Sequence, residues 1–405
     1  MGSTATTSER VPFTSTQKRV LLTLASVVGL RMLGLFLVLP VFTLYGLQFT
    51  NSRFLVGFAF GAYGLTMAIL QIPLGRLSDR IGRRKVLVLG MTLFSLGSFI
   101  CAVPHWFPQP LQIGVLIFGR LVQGGGAIVS VAFATVADYI QAERRSTAMA
   151  ILGIPIGAAF VIGVVAGPII AGLLNTSFLF WLTGFLGLST DYLLLHYLRD
   201  ERPKTAAPAA MAEVLVSRPL IAYALGGFLM NFFMATFFFY FPLIVTGQHH
   251  VKMTHYYALL LPMMVISGIT MFGFSQGADR GWARPLAAIA YLIFIPSSLL
   301  LFKPSSAGLD PQHLAPVLIA GTLFYIAFTG LEPILPSLVS KTAPGTAYGT
   351  ALGFYNTLQF LGSFVGGAIA GALSHFSPTH MMVTLIVTSF LGFLLMLGSR
   401  TPQRA

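Results

Sequence analysis

The chain has 405 residues, of which 56% are hydrophobic and 9% charged, with a formal net charge of +13, 42 glycines and one cysteine. A mean hydropathy of +0.83 excludes a soluble globular protein, which needs a far more polar surface, and points to a polytopic helical membrane protein. Cys101 alone excludes an internal disulfide and any multi-cysteine metal centre; in its apolar run it reads as a buried, inert thiol.

The polar start MGSTATTSERVPFTSTQKRV leads into an apolar stretch too long for a signal-peptide core, with no small-residue cleavage site after it, so it is read as a retained first span. Apolar runs near the roughly 20 residues that cross a bilayer divide the chain into twelve expected spans. They are 20–45, 54–75, 85–103, 111–139, 146–173, 178–198, 219–245, 255–275, 285–302, 314–338, 346–373 and 379–399. All are expected to be helices, because an open strand in hydrocarbon leaves backbone groups unpaired. The ten-residue alternation of a membrane barrel is absent.

With both termini placed in the cytoplasm, nineteen lysines and arginines fall in cytoplasmic segments and only Arg53, Lys252 and Lys303 in external loops. That asymmetry fixes the orientation. It also accounts for the basic excess by topology and contact with anionic lipid headgroups, so no nucleic-acid partner is needed. The one linker-like loop, 199–218 (RDERPKTAAPAAMAEVLVSR), separates an N-terminal six-helix half (1–198) from a C-terminal one (219–405). Internal repetition supports two halves. SDRIGRR returns as ADRGWAR, 200 residues on, pairing Asp79 with Asp279, Arg80 with Arg280 and Arg84 with Arg284. GVVAGPIIAG (163–172) returns as GSFVGGAIAG (362–371). A duplicated six-span unit is a transporter architecture, with its substrate site between the repeats near the bilayer midplane.

The stretch GRLSDRIGRRK (75–85) holds six charges in a chain otherwise poor in them. Gly75 and Gly82 suit a turn and close backbone approach, and Asp79 at a helix end can face the positive end of another helix. This run closely resembles the loop signature of the major facilitator superfamily between its second and third helices. The resemblance implies a twelve-helix, two-half transporter that works as a monomer. It also implies a cytoplasmic latch of Gly75, Asp79, Arg80, Gly82, Arg83 and Arg84. There Asp79 faces the start of the eleventh helix near Pro344–Gly345–Thr346, and the arginines pair with Asp138 and Glu143. LIFGRLVQGGGAI puts Arg120 nine residues into the fourth span, where a charge costs about 2.5 kcal/mol or more and marks a functional site. The superfamily associates this arginine with proton coupling. GAAFVIGVVAGPII, with Gly157, Gly163, Gly167 and Pro168, resembles the helix-five motif of the drug/proton antiporter group, although its usual closing Gly-Gly is Ala171–Gly172. Glycines four apart let helices pack closely, and the proline permits a kink. The segments RMLG…LPV…YG, GLEPILPSLVSKTAP and GTALGFYNTLQFLG resemble a bacterial inner-membrane branch whose members carry a soluble domain after the twelfth helix. This chain ends six residues beyond its last span, so nothing is carried over from that domain.

Four ionisable groups lie within spans: Arg31, Arg120, Asp191 and Glu332. Glu332, on the tenth span, is the first choice for proton carrier, with Arg120 and Arg31 as partners; a permanent Glu–Arg pair is the alternative. Antiporters often place this acid in the first helix, where this chain has only Arg31. Asp191 is read as structural. The histidines flanking the external loops (His249, His250, His255, His375, His380) have no metal-ligand spacing. Asn231 and Tyr240 in the aromatic seventh span, with Tyr355, Asn356 and Gln359 in the eleventh, are candidates for the substrate cavity.

There is no HExxH, GxSxG, paired catalytic acids near a histidine or P-loop, so no enzyme, metal, cofactor or ATP-driven pump is expected. The expected function is proton-coupled efflux of small amphipathic compounds by alternating access, in a bacterial inner membrane. Proton-coupled uptake of a metabolite and a non-transporting sensor are the alternatives.

Overall fold

In a computed structural model, residues 13–141, 144–199, 214, 216–343 and 348–399 are described. Among them the regular structure is entirely helical. Helices α1 (Ser15–Val38), α2 (Phe42–Gly46), α3 (Arg53–Ile81), α4 (Arg83–Ala102), α5 (Gln109–Gln123), α6 (Val129–Tyr139), α7 (Arg145–Leu173) and α8 (Thr176–Tyr197) come first. Then follow α9 (Arg218–Leu243), α10 (Tyr256–Gly277), α11 (Ala283–Phe302), α12 (Ala315–Thr342), α13 (Tyr348–Leu373) and α14 (Pro378–Gly398).

Helix starts follow capping chemistry. Thr14 and Gln17 form a reciprocal box at α1, with bonds of 3.2 and 3.1 Å, and the Asn175 side chain accepts from Phe178 N at 2.7 Å at α8. Ser52 opens α3 in the same way.

Among the described residues, nine helical segments are long and apolar enough to cross a membrane. Three features separate this figure from the twelve expected runs. The expected span 111–139 is two helices: the triple glycine Gly124–Gly125–Gly126 breaks it, its amides turning back onto Arg120, Val122 and Gln123. The expected spans 255–275 and 285–302 are the separate helices α10 and α11, but the turn at Gly281 (φ 95°) joins them so closely that they count as one segment, Met253–Phe302. And α13, carrying Asn356 and Gln359, is less apolar than its neighbours.

Within the first eight helices, α1 packs on α7 and α8, α4 on α5 and α8, and α3 on α5. Among the rest, α9 packs on α13 and α14, α11 on α12 and α14, and α10 on α12. The two lists match helix for helix. The repeated sequences occupy matching places. Gly82 (φ 107°) turns the chain between α3 and α4, and Gly281 (φ 95°) turns it between α10 and α11. A Cβ on Gly163 would meet Phe36 of α1 at 2.7 Å, and one on Gly366 would meet the Phe232 carbonyl of α9 at 2.5 Å. The helix-five glycines thus bind α7 to α1 within one group, as Gly362 and Gly366 bind α13 to α9 within the other.

Between the groups, α3 lies along α13, backbone against backbone. A Cβ on Gly61 would stand 2.6 Å from the Phe364 carbonyl oxygen, and one on Gly64 2.6 Å from that of Phe360; Gly57 faces Gly367 and Gly371. The second seam joins α7 to α10 and to the short turn before it, where Gly172 meets Thr254. Both seams are closed at the end away from the basic loops. Toward the basic end, a Cβ on Gly153 or Gly157 of α7, on Gly268 or Gly273 of α10, or on Gly349 of α13 would meet nothing within 4 Å. Among the described residues, the close backbone approaches between the groups therefore lie at the end away from the basic loops.

Candidate functional site

At the basic end the sequence folds into an ion-pair cluster. Gly82 makes the turn that starts α4 at once, and Arg83, buried, points back under α3. Its Nε donates to Asp138 Oδ2 of α6 at 2.9 Å, and its Nη1 donates to Asp79 and to Ser78 Oγ (2.6 Å). Ser78 in turn donates to the Gly75 carbonyl at 2.6 Å. A guanidinium is suited to this because its donors are fixed in a fork. Arg83 alone therefore ties α3, α4 and α6. Arg80 is exposed and Arg84 half-buried, so neither occupies that centre. Glu143 and the start of the eleventh expected span at Pro344–Thr346 lie outside the described residues. In the matching loop, Trp282 follows Gly281 where Arg83 follows Gly82, and it is exposed; Arg284 instead reaches the Ser399 carbonyl.

The two intramembrane arginines are buried side by side in the first group. Arg120 donates to Gln123 Oε1 at 2.6 Å and to the Phe60 carbonyl at 3.3 Å, and lies over the rings of Phe42 and Tyr63 at 4.9 and 4.8 Å. Gln123 passes the chain on to Ser98 at 2.9 Å. Arg31 donates to the Tyr63 hydroxyl and contacts Met67 Sδ at 3.2 Å. Tyr63 thus serves both cations, with its hydroxyl for one and its ring for the other. Among the described residues no carboxylate pairs with either arginine, and the Nε of each has no partner. The alternative of a permanent Glu332–arginine pair is not seen among the described residues.

Glu332 of α12 is half-buried and, among the described residues, has no hydrogen-bond or ion-pair partner. It lies close enough to the Tyr355 phenol of α13 to interact with it electrostatically. The Tyr355 ring is packed against Gly227 of α9, whose carbonyl accepts from Asn231 Nδ2 at 3.4 Å; the neighbouring Gly226 carbonyl accepts from Tyr291 at 2.6 Å. Buried Tyr355 Oη and Asn356 Nδ2 have no partner. Glu332, Tyr355 and Asn231 therefore converge through α9, α12 and α13, with Asn356 next to Tyr355, and Gln359 half-buried one turn further along α13. Tyr240 does not join them: it lies toward the closed end, donating to the Ala370 carbonyl at 3.0 Å. Asp191 stands apart, between α8 and α4. One carboxylate oxygen accepts from Thr92 Oγ1 at 3.0 Å and the other is buried without a partner.

Sequence reasoning passed over Tyr63, the hub of the arginines, and the α3 glycines at the seam. Gly57, Gly61 and Gly64, at i, i+4 and i+7 in FLVGFAFGAYGL, put a smooth stripe on one helix face. That spacing was a usable signal.

Two matched helical groups, each holding buried polar side chains and joined by glycine-lined seams, are the arrangement of a polytopic membrane transporter. The chain belongs to the Major Facilitator Superfamily, whose model matches residues 24–367. It is 31% identical over 362 residues to the inner membrane transport protein YajR of Escherichia coli (strain K12), covering 88% of this chain and 77% of that protein. It is 26% identical over 374 residues to the multidrug resistance protein MdtL of Klebsiella pneumoniae, covering 85% and 86%. Its fold resembles that of a D-xylose–proton symporter with a TM-score of 0.71 at 19% identity, over 94% of this chain and 96% of that one. It also resembles a bacterial homologue of the human lysosomal transporter Spinster, solved in an inward-facing, unoccupied conformation. There the TM-score is 0.73 at 15% identity, over 97% and 100%.

Proposed function

We propose that this chain is a twelve-span, proton-coupled exporter of small amphipathic compounds, with both termini cytoplasmic, in a bacterial inner membrane. Its two six-helix halves rock about the α3–α13 and α7–α10 seams. The observation that carries the coupling is Glu332, a half-buried intramembrane carboxylate with no partner among the described residues. An acid already locked to an arginine would have to break that pair in every cycle. A free acid beside a phenol and amides can exchange a proton for a substrate as the cavity wets and dries. The carboxamides and phenol of Asn231, Asn356 and Tyr355 would orient the substrate, and nearby aromatic surface would tolerate varied apolar bodies.

With the basic end cytoplasmic and the seams closed at the other end, the state is read as inward-facing; the Arg83–Asp79–Asp138 cluster ties α3, α4 and α6 within the first half on that side. The name of the MdtL relative and the helix-five motif support export. The test is the purified protein in vesicles under an imposed pH gradient, with a pH dye inside and a panel of cationic and neutral amphipathic compounds. Compound-triggered proton movement in wild type that is lost in Glu332→Gln supports the proposal. Absence of proton movement with every compound contradicts it and shifts weight to metabolite uptake or sensing.

A further inference from the structure

The arginine pair in the first half poses a problem of charge that transport chemistry at Glu332 does not solve. Arg31 is fully buried, and among the described residues its guanidinium meets a tyrosine hydroxyl, two thioethers and the ring of Phe94 at 5.8 Å. Arg120, also buried, shares Tyr63 with it. Two desolvated cations that share one neutral phenol, with no carboxylate partner among the described residues, are held at a large electrostatic cost.

Two further observations lie on the same side. Tyr63, Met67 and Gln71 follow one another at four-residue spacing on one face of α3. The Gln71 side chain is fully buried, and among the described residues neither its amide nitrogen nor its oxygen has a partner. Beside it the fourth span resumes after its glycine break. Ser130, in the first turn of α6, donates to the Gln71 carbonyl at 3.0 Å. Helix α6 starts at a buried Ile128 that offers no side-chain cap, so its first amides present the positive end of a helix dipole inside the protein. The break itself borders Arg31's surroundings, since a Cβ on Gly126 would meet Phe94 Cβ at 2.9 Å.

We propose that Arg31, the Gln71 amide and the N-terminus of α6 together bind a compact inorganic anion of halide size. It would be held as a resident counter-ion and is distinct from the substrate site on α9, α12 and α13. Guanidinium N–H, carboxamide N–H and helix N-terminal amides are all donors, and the Arg120 charge adds to the same potential. The complete burial of Arg31 and Gln71 favours a small ion that sheds its water over the acid group of a larger compound. In this reading the triple glycine is kept because it turns an unbroken span into one that aims a helix start at a buried cation.

The experiment is thermal unfolding of the purified full chain in detergent, followed through its three tryptophans, in sodium gluconate with chloride or bromide substituted at constant sodium. The expected result is a wild-type midpoint that rises by several degrees with halide and saturates. Gln71→Leu should need at least ten times more halide for half the effect, and Arg31→Gln should lose the response and be less destabilised in gluconate. Should Arg31→Gln fail to fold, Gln71→Leu and Arg120→Gln carry the test. A wild-type midpoint indifferent to halide would overturn the proposal, as would a full halide response in Gln71→Leu. Because no transport is measured, the outcome is independent of the reading at Glu332.

Discussion

Replacing Gly61 by alanine perturbs the seam between the two helical groups at one methyl group. The new Cβ would lie 2.6 Å from the Phe364 carbonyl oxygen and 2.8 Å from its Cα, both backbone atoms of α13. An ordinary contact needs about 3.4 Å or more, and no rotamer change can relieve a clash with backbone, so α3 and α13 must move apart. Overpacking of this kind costs about 1–3 kcal/mol. The cost falls on the state in which this end is closed, and about 2 kcal/mol shifts a two-state equilibrium by about 30-fold. The reporter is Ala370→Cys, a fully buried position clustered with Val56 of α3 and Phe239 of α9. The native Cys101 is buried and replaced by alanine in this background. In detergent, maleimide labelling at position 370 should be tens of times faster when Gly61→Ala is added. Equal labelling rates, with unfolding temperatures unchanged, would refute the idea that this glycine contact holds that end shut.

Arg83→Lys should lose about 1–3 kcal/mol, because one ammonium nitrogen cannot stand both where Nε meets Asp138 and where Nη1 meets Asp79 and Ser78. Asp79, with 56% of its side chain exposed, contributes little of this. An unfolding temperature equal to wild type would count against the latch centre. Gly82→Ala should cost about 1–3 kcal/mol and more than Gly281→Ala. Gly82 combines φ 107° with ψ 145°, which is nearly closed to other residues, whereas Gly281 (φ 95°, ψ 2°) lies nearer the left-handed helical region; denaturation of the two variants side by side gives the order. Asp191→Asn keeps the acceptor for Thr92 while removing a buried charge with one unpartnered oxygen. It should therefore leave transport intact and stability equal or higher, and a transport defect in a stable Asp191→Asn protein would move this residue into the mechanism.

What could be read from the sequence was whatever a short pattern determines locally. The run at 75–85 fixed a turn at Gly82, because that depends on residues within one helix end, whereas the pairing of an arginine with Asp138, 55 residues away on α6, came from the family resemblance. Arg120 announced itself by the cost of a charge in an apolar span. The helix-five glycines pointed to close packing, but not to its partner, α1, which depends on how helices are arranged in space. The break after Gln123 was written in three glycines, yet hydropathy continues across it and hides it. The partners of Arg31 were invisible because Tyr63 and Met67 are ordinary apolar-span residues that become ligands only when α1 and α3 are packed. Tyr240 was grouped with Asn231 by composition, and the helical rise between them carries its hydroxyl to the other end.

The most direct test of the account is substrate counterflow set against gradient-driven exchange in Glu332→Gln vesicles, using a compound that moves protons in wild type. If Glu332 carries the proton, the variant keeps counterflow at a near wild-type rate, since binding and rocking need no proton transfer at position 332, and loses all response to an imposed pH gradient. A variant that still couples to the gradient, or that loses counterflow and coupling together while remaining folded, would contradict the assignment of Glu332 as carrier.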